Sequence, residues 1–265
     1  MTATGKGARK TMRTCIMAIG AHADDIEMRC AGTLAKYHAL GYEVCCVMTT
    51  NNTASGMTGD DATAAQTAAT RRREAIESAA LLGTEPIFLE YAEEQYQYRL
   101  SGQPDPYVYL DFAPHDLRGY PQALRRRPPL VCAVDMDECV EEMAGLMVRY
   151  EPEIILTHST SEQNAEHWAT AILVIKAFRL AKNRVRLGSL LSWYWDDNTN
   201  LLYTDSTFVD ISGYDEQKLA MLHKHQSQGF DRPDNPVSAR DRLCGAIVGV
   251  QAAERFRVMD TGSPV

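Results

Sequence analysis

The spacing of apolar residues changes period several times along the chain. Thr14–Ile19 is a short unbroken apolar run, as in a strand buried on both faces. Met28–Leu40 has helical spacing and closes on Gly41, and Glu43–Thr50 is β-rich. Ala64–Leu82 reads as a long helix closing on Gly83, and Pro86–Tyr91 as a third strand. A helix over Met136–Tyr150, a strand over Glu153–Thr157 and a helix over Asn164–Ala181 follow. The tail offers strands near Leu190–Trp195 and Phe208–Ile211, and helices near Asp215–His225 and Val237–Ala253. This alternation predicts an α/β fold, a parallel sheet with helices on both faces.

Residues 93–135 interrupt the rhythm. Six prolines and five tyrosines fall there, which marks a long insertion loop built as a lid or binding segment. No repeat, low-complexity tract or linker divides the chain. The expected organisation is a flexible tail at 1–12, one domain over 13–258 carrying the insertion, and a tail at 259–265.

The net charge of −8 makes nucleic acid and anionic membrane poor partners, and no apolar run is long enough to span a bilayer. The basic residues Lys6 to Arg13 before Cys15–Ile19, with Ala21-His22-Ala23 behind them, imitate a signal peptide. The apolar run is short, however, and cleavage there would discard His22. Seven cysteines without a C-x-x-C pair read as small buried hydrophobes in a reducing, cytoplasmic setting.

Candidate chemistry concentrates in Gly20-Ala21-His22-Ala23-Asp24-Asp25-Ile26-Glu27, between the first strand and the first helix. In a doubly wound sheet that turn opens into the ligand crevice. His22 and Asp25, three apart, can face one point and suit a catalytic zinc, which takes three protein ligands and keeps one position open. Asp24 beside them can take a proton from a metal-bound water. The same acids could instead serve a helix N-terminus. His158 ends the fourth strand, and Asn164-Ala165-Glu166-His167 opens the next helix. If strands one and four flank the switch point, His167 completes the set. A dinucleotide site is excluded: the turn lacks G-x-G-x-x-G, and its carboxylates repel a pyrophosphate.

These motifs resemble those of the PIG-L/LmbE-like zinc deacetylases, whose signature is A-H-P-D-D-E or A-H-P-D-D-x-E, with H-P-D-H later. Here the runs are Ala21 to Glu27 and Asn164 to His167. Gly32-Thr33-Leu34-Ala35, Arg71 to Glu74 with Leu82-Gly83, Pro152 to His158, Val209 to Ser212, Lys218, His225 to Gln228 and Ala253 to Phe256 also match, over about residues 13–258. The resemblance implies a Rossmann-like fold and metal ligands His22, Asp25 and His167. It implies Asp24 as general base and Zn2+ as the cofactor, with Fe2+ as the alternative. The implied substrates are N-acetylated amino sugars or glycoconjugates of small-molecule size. Arg71, His158 and His225 are expected to touch substrate. Ala23 replaces the motif's proline and leaves the ligand atoms intact. Asn164 replaces a histidine credited with assisting the tetrahedral intermediate. Asn donates a hydrogen bond but no proton at neutral pH, so the expected function includes an alternative: the fold retuned to another amide, or kept as a binding protein. A homo-oligomer is left open.

Overall fold

The computed structural model describes residues 14–53, 64–93, 127–162, 164–193, 206–231 and 236–262. Its strands are β1 (Cys15–Gly20), β2 (Glu43–Thr50), β3 (Ile87–Tyr91), β4 (Ile154–Thr157), β5 (Ser189–Trp193), β6 (Ser206–Asp210) and β7 (Ala253–Asp260). They form one seven-stranded sheet in the order β3-β2-β1-β4-β5-β7-β6. The first five are mutually parallel; β7 runs antiparallel to both β5 and β6. The helices are α1 (Asp25–Ala39), α2 (Ala64–Ala79), the single turn α3 (Leu130–Ala133), α4 (Asp137–Tyr150), α5 (Ala165–Ala181), α6 (Asp215–Leu222) and α7 (Pro236–Val248).

β1 shows why the sheet is covered twice. Cys15, Met17 and Ile19 enter a core with α4 and α5, whereas Ile16 and Ala18 enter a second core with α1 and Met221 of α6. Every residue of β1 is buried, as its unbroken apolar run predicts. Gly32 lets α1 pack closely: a Cβ there would come within 2.7 Å of Ile211 Cδ1.

Two expectations at the C-terminal end are corrected. The helix predicted to reach Ala253 stops at Val248, where Gly249 turns the chain at φ 77° and Val250 N–H donates to Gly245 O. The residues beyond form β7, an antiparallel addition to a parallel sheet. β7 extends to Asp260, two residues past the expected domain boundary at 258. Charged side chains at the start of β7 have buried partners. Glu254 accepts from Gly32 N–H, Thr33 N–H and Lys218 Nζ, and Lys218 also pairs with Asp241 at 2.7 Å.

Of the insertion, 94–126 lies outside the described residues. Its two ends meet: Ala92 bridges Pro129, Ala92 N–H donates to Pro128 O, and Leu130 N–H to Ala92 O. Tyr91, the last residue of β3, is fully buried in the core and donates to Glu142 at 2.7 Å. Trp193 is core, while the end of the strand expected near Leu190–Trp195 lies outside the described residues.

Candidate active site

The chain leaves β3 on one side of β1 and re-enters the sheet as β4 on the other. The order therefore reverses between β1 and β4, and their carboxyl ends open one crevice. His22 and Asp25 stand at the end of β1, and His158 directly follows β4. His167 lies on the first turn of α5.

The structure brings the three expected ligands together. His22 Nδ1 is 3.2 Å from His167 Nε2 and 3.5 Å from Asp25 Oδ2, and His167 Nε2 is 3.3 Å from Asp25 Oδ1. A tetrahedral zinc with bonds of about 2.0–2.1 Å separates its donors by about 3.3 Å. The donor set thus matches in type and spacing. The outer faces of both imidazoles are also occupied. Glu93 Oε1 lies 3.5 Å from His22 Nε2, and Glu162 Oε2 lies 3.4 Å from His167 Nδ1. A carboxylate behind each histidine is the usual support of a metal-binding imidazole.

Charge explains the local ionisation. Burial works against a negative Asp25, but His167 and His158 beside it outweigh that and hold its carboxyl well below the usual range. Burial likewise opposes a charged His167, yet Asp25 and Glu162 raise its pKa to about 10. Asp24 goes the other way. Its burial outweighs the Arg71 guanidinium, 3.1 Å from Oδ2, and its pKa is raised. Asp24 stands apart from the three-donor cluster, and its side chain caps nothing; Asp25, in contrast, accepts from His22 N–H at 2.7 Å and tightens the turn.

The residues expected to touch substrate occupy other places. Arg71 is 3% exposed; beyond its contact with Asp24 it donates to Ala23 O at 2.5 Å. His158 is fully buried behind Asp25. Its Nε2 lies 3.1 Å from Asp25 Oδ2, and its Nδ1 lies 3.2 Å from Trp193 Nε1 and 3.4 Å from Glu162 Oε1. His225 is also fully buried, 3.3 Å from Glu27 Oε2, whose other oxygen accepts from Ser78. All three are buried against residues of the run Ala21 to Glu27. Asn164 is the N-cap of α5: its Oδ1 accepts from Glu166 N–H at 2.9 Å and His167 N–H at 3.2 Å.

The sequence does not single out Glu162, Asn52 or Glu93 as site residues. Asn52 Oδ1 accepts from Ala23 N–H at 2.7 Å and so fixes the turn between His22 and Asp24. Glu162 carried one available signal, a carboxylate between two histidines at i−4 and i+5.

A doubly wound sheet with a histidine–aspartate cluster at its switch point defines an α/β protein with a candidate metal site. The profile of the PIG-L family, described as GlcNAc-PI de-N-acetylase, matches residues 17–178, well over half of the chain, and the chain belongs to that family. Solved structures share the fold. The N,N'-diacetylchitobiose deacetylase of Pyrococcus horikoshii is 20% identical with a TM-score of 0.67, over 93% of this chain and 84% of its own. The A40926 pseudoaglycone deacetylase Dbv21 is 17% identical with a TM-score of 0.64, over 95% and 100%. GalB of Pseudomonas putida, a 4-carboxy-2-hydroxymuconate hydratase, is 17% identical with a TM-score of 0.66, over 95% and 98%. These three proteins carry different activities on one fold, so function has to be argued from the site.

Proposed function

We propose that the chain is a zinc-dependent N-deacetylase that removes the acetyl group from an N-acetylated amino sugar or a glycoconjugate carrying one. The observation that carries this reading is the convergence of His22, Asp25 and His167, beside a buried carboxylate, Asp24, held outside the cluster with a raised pKa. His22, Asp25 and His167 hold the metal; Fe2+ suits the same donors. When bound, the ion supplies Lewis-acid polarisation of the acetyl carbonyl and lowers the pKa of water toward about 7.

Asp24 does the proton work. Its Oδ2 is anchored by Arg71 and its backbone by Asn52 through Ala23, which leaves Oδ1 to take the proton of the attacking water. A C–O bond forms at the acetyl carbon. The C–N bond then breaks as Asp24 returns the proton to the amine, and acetate and a free amine leave. Asn164 holds Oδ1 on the helix and offers Nδ2 as the donor toward the developing oxyanion. Glu93 and Glu162 hold the two imidazoles. The seven cysteines are all buried and none is joined in a disulfide, which supports a reducing compartment.

His167→Ala tests the ligand assignment. Wild-type protein should carry about one divalent ion per chain and release acetate from N-acetylglucosamine substrates; the variant should lose most of the metal and all of the activity. Full metal content in folded His167→Ala protein overturns the assignment. A metal-loaded wild type inert on every N-acetyl sugar favours the retuned or binding-protein reading.

A further inference from the structure

Beside the catalytic turn lies a cavity of about 100 Å³ that the chemistry above does not use, lined among others by Thr50, Asn52, Ala68, Arg72, Phe88 and Glu90. It adjoins the site through hydrogen bonds. Asn52 fixes Ala23, Thr50 Oγ1 donates to Ala21 O at 2.8 Å, and Arg72 directly follows the Arg71 that holds Asp24. Its outer wall is shaped by an irregularity in the sheet. β3 pairs Phe88 with Met48 and Tyr91 with Thr50, so Leu89 and Glu90 together oppose Thr49. Glu90 takes φ 63° at this bulge, and Asn52, across the cavity, takes φ 56°. Bulges re-aim side chains next to functional sites, and left-handed non-glycine residues persist only where surrounding structure holds them. Here Glu90 ends up paired with Arg72, whose guanidinium sits 4.0 Å from the centre of the Phe88 ring.

We propose that this cavity is the subsite for the hydroxyl-bearing edge of an uncharged sugar ring, an assignment that rests on the deacetylase reading. The pair offers a fork of donors and a carboxylate acceptor side by side, as adjacent hydroxyls require. Phe88 and Ala68 supply an apolar wall. Arg72 and Glu90 cancel in charge, so neither a phosphate nor an ammonium group gains by entering. Both side chains are about half exposed, 50% and 44%, and remain open to a ligand. At roughly 10–15 Å³ per water-sized position, the volume takes the edge of one ring and not a disaccharide.

The test is calorimetric titration of the metal-loaded protein with N-acetylglucosamine and with N-acetylglucosamine 6-phosphate, with acetate release followed in the same samples. Wild type should bind the neutral sugar better than the phosphate. Glu90→Gln and Arg72→Gln should each weaken that binding about tenfold, the worth of a hydrogen bond to a charged partner. Ala68→Leu, which fills the space without touching a charge, should weaken it too. Metal content should stay at the wild-type level in all three. Unchanged binding in Ala68→Leu and Glu90→Gln, or tighter binding of the phosphate, overturns the subsite. If the sugar binds in an Arg72- and Glu90-dependent way but no acetate appears, the subsite stands and the deacetylase reading falls.

Discussion

Asp24 sits at φ 129° and ψ −25°, a strained conformation for a side-chain-bearing residue, and it precedes the first residue of α1. Arg71 and Asn52 hold it there from two other elements. A carboxylate fixed in this way, if it acts as the proposed base, should be replaceable without loss of structure. Asp24→Asn is therefore expected to fold and to bind metal as wild type does, while turnover falls by roughly 10²–10⁴, the usual worth of a positioned proton shuttle. Metal analysis and steady-state kinetics on the same preparation check this; loss of the ion would make Asp24 a ligand. The three proposed ligands were legible as candidates in the sequence because histidine and aspartate are informative at strand ends, where a doubly wound sheet opens. Their supports were not. Glu93 and Trp193 come from separate parts of the chain and obey no spacing rule, and the one signal Glu162 carried was its place between His158 and His167. Arg71, His158 and His225 were legible as residues near the site, but only the fold shows that they face it from its buried side.

α5 presents His167 through its first turn, and that turn depends on one side chain. Asn164 closes the helix with Oδ1, so a residue singled out for its chemistry also has a structural role. Two substitutions separate these roles. Asn164→Ala removes the cap and should cost about 1 kcal/mol in urea unfolding, with weaker metal retention because His167 loses its anchored turn. Asn164→Asp keeps a capping oxygen and should preserve stability and metal, yet it lacks an amide donor and should lower turnover. Full activity in Asn164→Asp would remove Asn164 from the oxyanion. The other elements were legible wherever apolar spacing was unbroken, as in β1 and α4. β7 was not, since Ala253, Glu254 and Arg255 favour helix as isolated residues. Gly249 was the overlooked stop signal, and the burial of Glu254 depends on Lys218, 36 positions away.

At the scale of the whole molecule, the cysteines link packing to pH. Cys15, Cys30, Cys45 and Cys46 line the two faces of the β1–β2 region, and burial raises all four thiols, Cys15 to about 12. A thiol in the unfolded chain ionises near 8.5. Below that pH both states keep the proton and the folded state retains its full advantage. Above it the unfolded state loses protons that the folded state keeps, so stability falls as pH rises and is lost fully only once the folded values are passed. Each such thiol should cost about 1.4 kcal/mol between pH 7.5 and 9.5. Buried His225 adds to the same trend. Burial opposes its charged form, but Glu27 and Asp24 raise its pKa, and its contribution is complete below about 6.5 and declines as pH climbs through the raised value. Metal-loaded protein should therefore lose stability steeply from pH 7.5 to 9.5 in urea titrations. Cys46→Val, which adds about one methyl group at a buried site beneath α1, should flatten that loss by about one thiol's share, on top of a pH-independent packing cost of about 1–3 kcal/mol. An identical slope in wild type and Cys46→Val would show that the alkaline loss arises elsewhere, and His225→Gln then becomes the variant to measure.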